Sequence, residues 1–384
     1  SKLVYGYILT DKLFFLKVFW CIICDMIKFT VGENQGNQRL DRFLKKYFAK
    51  ASLSHIYKLI RKDIKLNGKR AKPETILSVG DQLTVYMSEE EASALQRQKE
   101  IPRTKKQFTV LYEDENILAV EKPFGLLTHG DGREKKNHLA NQVLDYLIAK
   151  GDYLPMAEKT FVPSPANRLD RNTTGIVLFG KTAEALKELN EMLREREGIE
   201  KFYLTITAGC IKKELRLKDE MIKDEKRNMT LIIAEKDSSE NSDGLENTSS
   251  SYSKNKIKNQ NDKQAKLMDT EVFPVAISSK DSGYTLAEVK INTGRTHQIR
   301  AQLAQAGFPI IGDTKYGNVR TNHAVKQRYQ LTTHLLHAGK IVFNDCREDG
   351  VLSYLNGREI TCPPSEMFIR IKEDIFGKIN FWRQ

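Results

Sequence analysis

The stretch Asn167-Arg168-Leu169-Asp170-Arg171-Asn172-Thr173-Thr174-Gly175, running straight into Ile176-Val177-Leu178-Phe179, constrains the fold more than any other segment. The four apolar residues predict a buried strand. The polar, glycine-ended residues before them predict a turn at its entrance. An aspartate held in such a turn against a buried strand is placed like a catalytic carboxylate rather than a surface charge. For a lone segment, however, an ordinary turn is the commoner outcome, because Asp, Asn and Thr hydrogen-bond their own backbone.

The surroundings read as alternating short strands and helices. Phe108–Tyr112 and Ile117–Val120 are strand candidates joined by an acidic turn, and Lys122-Pro123-Phe124-Gly125 ends the pattern. Leu139, Val143, Leu144 and Leu147 have helical spacing, as do Ala185, Leu186, Leu189 and Leu193. Further strands are expected at Phe202–Thr207 and around Leu286, Val289 and Ile291. A helix is expected over 296–306, stopped by Gly307 with Pro309 beyond. Strands outnumber helices and are separated by hairpin-like breaks, so a mixed α+β domain is expected rather than a doubly wound parallel sheet.

The formal charge is +12, and its location is informative. Between Arg39 and Lys72 stand twelve Lys or Arg against two acids, a net +10. Such a density favours a polyanionic partner over a merely solvated face. Leu40, Phe43, Leu44 and Phe48 are spaced for one helix, and Ser52 or Ser54 can cap a second that runs to Lys62. Asn67-Gly68 reads as a tight turn beside the candidate strands Ile64–Leu66 and Leu83–Val85. Lys58, Arg61, Lys62, Lys69 and Arg70 collect near that turn as candidate phosphate contacts. The charged stretch 89–107 reads as a linker. The Ser-, Asn-, Asp- and Lys-rich segment 235–266 holds too few apolar residues to offset its ordering entropy and reads as a disordered insertion. Residues 1–25 are apolar but interrupted by Asp11, Lys12, Lys17 and Asp25, and read as an upstream extension rather than a membrane anchor. Five scattered cysteines fit a reducing compartment.

A second segment, Thr293-Gly294-Arg295-Thr296-His297-Gln298-Ile299-Arg300, changes the weight of the first. Together the two closely resemble the motifs of the RluA-type pseudouridine synthases, and the resemblance runs from about Met26 to about Phe376. Residues 26–88 are similar to the RNA-binding module of ribosomal protein S-four, and residues 108–376 to the catalytic domain, with 377–384 as a tail. The family's catalytic loop usually reads His-Arg-Leu-Asp-x-x-Thr-Ser-Gly, so this chain departs at Asn167 and Thr174. The resemblance implies a large, mostly antiparallel sheet with flanking helices and a central cleft, and it implies isomerisation of uridine to pseudouridine. It makes Asp170 the essential carboxylate and associates Arg168 with filling the stack vacated by a flipped nucleotide. Tyr203, in Lys201-Phe202-Tyr203-Leu204, would line the site. Arg300 would charge-balance and orient Asp170, with Arg295 as the rival for that role.

The histidines and cysteines lack metal-ligand spacing and no Gly-rich phosphate loop is present, so neither metal nor cofactor is implied. The expected substrate is structured RNA, large-subunit ribosomal RNA above transfer RNA, handled by a cytoplasmic monomer. The alternative from another class is a catalytically silent RNA-binding or ribosome-assembly protein, for which Asn167 is the only foothold.

Overall fold

The computed structural model describes residues 26–96, 103–155, 158, 160–224, 229–233, 265–278 and 283–383. The extension expected at 1–25 lies outside them. So does the insertion expected at 235–266, except at its end, where Lys266 opens a strand. The chain forms two compact units, one of residues 1–102 with 144–163, the other of 103–143 with 164–384. No described helix is long and apolar enough to cross a membrane.

In the first unit, strand β1 (Ile27–Thr30) is followed by helices α1 (Leu40–Tyr47) and α2 (Leu53–Lys62), strands β2 (Ile64–Leu66) and β3 (Gln82–Val85), and helix α3 (Glu89–Leu95). The strands form an antiparallel sheet in the order β1-β3-β2. The apolar faces of α1 and α2 bury Leu40, Phe43, Leu44, Ile56, Leu59 and Ile60 with Leu83 and Val85 of the sheet. Ser52 caps α2 by accepting the His55 amide at 3.2 Å. Asn67 and Gly68 both have positive φ, and Leu66 and Lys69 exchange backbone hydrogen bonds around them. The strand that pairs with β2 is nevertheless β3, and the Asn67 side chain ties the turn to it by accepting the Gln82 amide at 2.8 Å. The stretch expected as a linker from Glu89 begins instead as α3. Ser88 and Glu91 form a capping box, and Ala92 and Leu95 join the core. Only two apolar residues hold this helix, too few for a periodicity to register.

The second unit is built on strands β4 (Thr109–Glu113), β5 (Ile117–Lys122), β6 (Ser164–Pro165), β7 (Thr174–Gly180), β8 (Ile199–Ala208), β9 (Leu215–Asp224), β10 (Met229–Ile233), β11 (Lys266–Ser278), β12 (Tyr284–Ile291), β13 (Leu336–Phe343) and β14 (Glu359–Thr361). Its helices are α4 (Leu139–Lys150, shared with the first unit by sequence), α5 (Ala183–Glu195), α6 (Gln298–Gln305), α7 (Val319–Tyr329) and α8 (Glu366–Phe376). The sheet runs β10-β9-β11-β12-β8-β13-β7-β5-β4, with β14 on β13 and β6 on β7. Every pairing is antiparallel except β13 with β7, as the α+β expectation requires. Alternation along β8 sends Leu204 and Ile206 into a core with Val325, Tyr329, Phe368, Ile371 and Ile375. Lys201 and Tyr203 therefore project from the opposite face. There Ile199 joins a second core with Ile176, Leu178, Leu189 and Ile341. The parallel contact is close: at Gly175, with φ +112°, a Cβ would stand 2.1 Å from the Ala338 carbonyl oxygen. No side chain fits there.

Candidate active site

The loop ahead of β7 is fixed at many points. Asn167 accepts the Leu178 amide at 2.8 Å and donates to the Ile176 carbonyl at 3.2 Å, so its side chain imitates a strand on the edge of β7. The buried Thr128 hydroxyl donates to the Leu169 carbonyl at 3.1 Å and accepts the Leu169 amide at 3.2 Å. Thr173 bonds His334 Nε2 at 3.0 Å, and Thr174 bonds His337 Nδ1 at 2.8 Å. His337 Nε2 lies 2.9 Å from the Cys362 carbonyl, which can only accept, so that nitrogen carries the proton and Nδ1 accepts from Thr174. The Lys122 ammonium, fully buried, donates to the carbonyls of Pro123, Leu126 and Arg171 at 2.8–3.0 Å. Burial pushes it down to about 7, and Asp170 acts in the opposite sense. The ends of the loop are thus tied to buried groups, and Asp170 sits between them.

Asp170 meets α6. Arg300 Nη1 donates to Asp170 Oδ2 at 3.1 Å, while its Nε and Nη2 fork onto Asp313 at 2.7 and 2.9 Å. The bidentate partner of Arg300 is therefore Asp313, and Asp170 takes a single bond. Asp313 also accepts the amides of Lys315 and Tyr316 at 2.8 and 3.1 Å. Burial would raise its carboxyl, but Arg300 and these amides outweigh that and hold it below the usual range. Burial likewise opposes the Arg300 charge and is outweighed by Asp313 and then Asp170. Asp170 keeps 27% of its side chain exposed, against 6% for Arg300, and its Oδ1 has no protein donor among the described residues. One oxygen is held; the other is open.

Two anchors place α6. Gln298 donates to Thr270 Oγ1 at 2.9 Å and to the Asp269 carbonyl at 3.0 Å, and accepts from Thr293 at 2.7 Å. Gln302 accepts from Thr270 at 2.7 Å and donates to Asp219 at 2.6 Å. The helix begins two residues later than its sequence suggests, because His297 adopts φ +54° as its N-cap. His297 Nε2 lies 3.7 Å from Asp170 Oδ2 and its Nδ1 3.0 Å from the Tyr316 hydroxyl. Burial, with Arg300 adding to it and Asp170 opposing, pushes His297 down to about 4. Near neutral pH it is an uncharged neighbour of the carboxylate.

Tyr203 is buried on β8 between Val289 and Ala338 of the neighbouring strands. Burial first and then the Asp170 charge raise its phenol, so it stays protonated. Asp170 and Arg300 are thus brought into contact, and Tyr203 lies within reach of the Asp170 charge. Arg295 is not part of this group: it is partly exposed and its Nε donates to the Leu267 carbonyl at 3.3 Å. Arg168 is exposed and has no ion-pair partner among the described residues, so no salt bridge within the loop holds it. In the first unit Lys58, Arg61, Lys62, Lys69 and Arg70 are all exposed and likewise free of ion pairs among the described residues. Sequence reasoning missed the contributions of Lys122, Thr128, His334 and His337. The one local signal was a lysine ending an apolar strand before a proline.

Residues 116–305 match the family model described as RNA pseudouridylate synthase, and residues 38–83 match the S4 domain. An uncharacterized RNA pseudouridine synthase of Mycoplasma capricolum is 30% identical over 349 residues, covering 88% of this chain and 98% of that protein. Ribosomal large subunit pseudouridine synthase C of Buchnera aphidicola subsp. Baizongia pistaciae is 29% identical over 316 residues, covering 82% of this chain and 88% of the relative. Among solved structures, human RNA pseudouridylate synthase domain containing 4 superposes with a TM-score of 0.50 at 18% identity, covering 69% of this chain and 92% of that one, a likeness of fold.

Proposed function

The chain belongs to the RNA pseudouridine synthase family, and we propose that it isomerises uridine to pseudouridine in large-subunit ribosomal RNA with Asp170 as the reacting carboxylate. The observation that carries the assignment is the shared guanidinium of Arg300, which holds one Asp170 oxygen at 3.1 Å and leaves the other open toward solvent. The ribosomal substrate is supported by the relatives named for that activity and by the exposed cations of the S4 match. A phosphate-gripping module suits a large folded RNA better than a small one. We read the enzyme as a cytoplasmic monomer that needs no cofactor.

The reaction requires no donor or redox partner. The N1 glycosidic bond breaks, the uracil turns, C5 bonds to the ribose, and a proton leaves C5 while N1 gains one. Oδ1 of Asp170 is the free oxygen for attack on the ribose or base, or for removing a sugar proton, and Arg300 fixes its direction. The protonated Tyr203 offers a face for stacking and a hydroxyl to donate; it is not a preformed base. The uridine must leave its stack to reach this site, at a cost of roughly a few kcal/mol. Arg168, exposed and without an ion-pair partner among the described residues, is suited to fill the gap. Asn167, the departure that favoured a silent RNA-binding protein, is occupied in holding β7, so it does not argue against turnover.

The test is Asp170→Asn, assayed for pseudouridine in a large-subunit ribosomal RNA transcript and for binding to it. Turnover should fall by at least about 10³-fold while affinity changes little, since backbone phosphates supply most of the binding. Appreciable pseudouridine formation by the variant would remove Asp170 from this role.

A further inference from the structure

We propose that Lys201 is a ligand for an RNA backbone phosphate beside the flipped nucleotide, an inference that rests on the RNA reading above. Lys201 lies two residues before Tyr203 on β8 and projects from the same face, between Ile291 of β12 and Ile341 of β13. Its stem is buried among these apolar neighbours, while its ammonium end lies against the turn leading to α6. A Cβ placed on Gly294 would be 3.9 Å from Lys201 Nζ. The ammonium has no hydrogen bond, ion pair or other electrostatic partner among the described residues.

That isolation is unusual in its setting. The neighbouring strand lysines are engaged: Lys290 is paired with Glu200, and Lys340 stands over the Phe202 and Trp382 rings. Lys122, fully buried near the site, spends its donors on three carbonyls. Lys201 is half-buried, and withdrawing part of an ammonium side chain from water with nothing opposite it costs stability. Burial pushes Lys201 down to about 8. An anion arriving beside it would offset that cost. Lys201 shares the face of β8 that carries Tyr203, two residues away. A nucleotide whose base reaches Tyr203 carries its phosphates outward from the reacting centre, and the Gly294 amide, which donates to no described acceptor, stands in the same turn.

The experiment compares the unaltered chain with Lys201→Met on a large-subunit ribosomal RNA transcript, measuring affinity against salt, kcat and KM. Met retains the apolar stem and removes an unpaired charge, so the melting temperature should stay level or rise. The apparent affinity should drop about 3- to 10-fold, and the slope of log affinity on log salt should shrink by about 0.7–0.9, one phosphate's worth. Because KM should carry the defect, kcat at saturating RNA should fall by less than KM rises. If Lys201→Met does not fold, amine-modification footprinting of the unaltered chain replaces it: Lys201 should react freely and be protected by RNA. An unchanged slope and affinity in the folded variant, or no protection in the footprint, overturns the proposal while leaving the enzyme assignment standing. If the unaltered chain neither binds nor modifies the transcript, both readings fall together.

Discussion

Asp313→Asn isolates the positioning of Arg300 from the chemistry of Asp170, because it touches only the far side of the guanidinium. Asp313 is 1% exposed and Arg300 5%, so solvent screening does little to soften the change. The carboxylate accepts four hydrogen bonds, from Arg300 Nε and Nη2 and from the amides of Lys315 and Tyr316. An asparagine that keeps its oxygen in the Oδ1 position retains three of them. Its amide nitrogen then faces Arg300 Nε, donor against donor. Losing one charge-assisted bond costs about 1.5–3 kcal/mol, and removing one partner of a buried pair costs about 3–5 kcal/mol. We therefore expect a loss of about 3 kcal/mol, or roughly 6–12 °C in melting temperature. The guanidinium, no longer forked, should drift relative to Asp170, and kcat at saturating RNA should fall about 10- to 100-fold. The pH dependence supplies a second reading. A carboxyl held low in the fold stabilises it above the unfolded value near 3.9 and loses that contribution as pH falls through the folded value. The stability gap between the unaltered chain and Asp313→Asn should thus close only below about pH 4. Scanning calorimetry from pH 3 to 7 and single-turnover assays make the comparison. A melting temperature within 1–2 °C of the parent, together with kcat within about two-fold, would refute the positioning role.

Arg300→Ala should depress kcat at least about 10-fold more than Arg295→Ala, since only Arg300 reaches Asp170 while Arg295 bonds the Leu267 carbonyl; the reverse ranking at saturating RNA would move the partner to Arg295. His297 and His334 are both pushed down to about 4 by burial, so between pH 4 and 6.5 the unfolded chain binds protons that the folded chain refuses. Urea melts should accordingly show stability rising from pH 4 to about 6.5 and then levelling, with no step in kcat near 6.5; a kcat titration there would mean that His297 ionises in the working enzyme.

Much of this was legible in the sequence because it is local. The run Ile176–Phe179, the helical spacing before Leu193 and the alternation at Leu286, Val289 and Ile291 each state their own periodicity, and each element formed where expected. The pairing of Asp170 with Arg300 came from family resemblance rather than from any pattern in the residues, and the geometry agrees with it. What the sequence could not disclose depends on distant partners. Asp313 lies 13 residues from Arg300 with a turn between them, and nothing local says that its carboxylate takes the fork. Asn167 reads as a departure from a motif until its amide is seen bonding β7. Helix α3 failed to announce itself because two apolar residues against a three-glutamate first turn give no stripe.

The parallel pairing of β7 with β13 bears on how the enzyme is made. Thr173 and Thr174 are clamped by His334 and His337, partners 161 and 163 residues later in the chain. During synthesis, the catalytic loop emerges long before the histidines that lock it, and Arg300 and Asp313 arrive in between. A chain released short of β13 would carry every reacting residue yet lack the strand against which Gly175 seats the loop. Closure of the site is therefore among the last, highest-separation events of folding. A nascent or truncated product should be silent toward RNA, and competence should begin only once the whole sheet has closed.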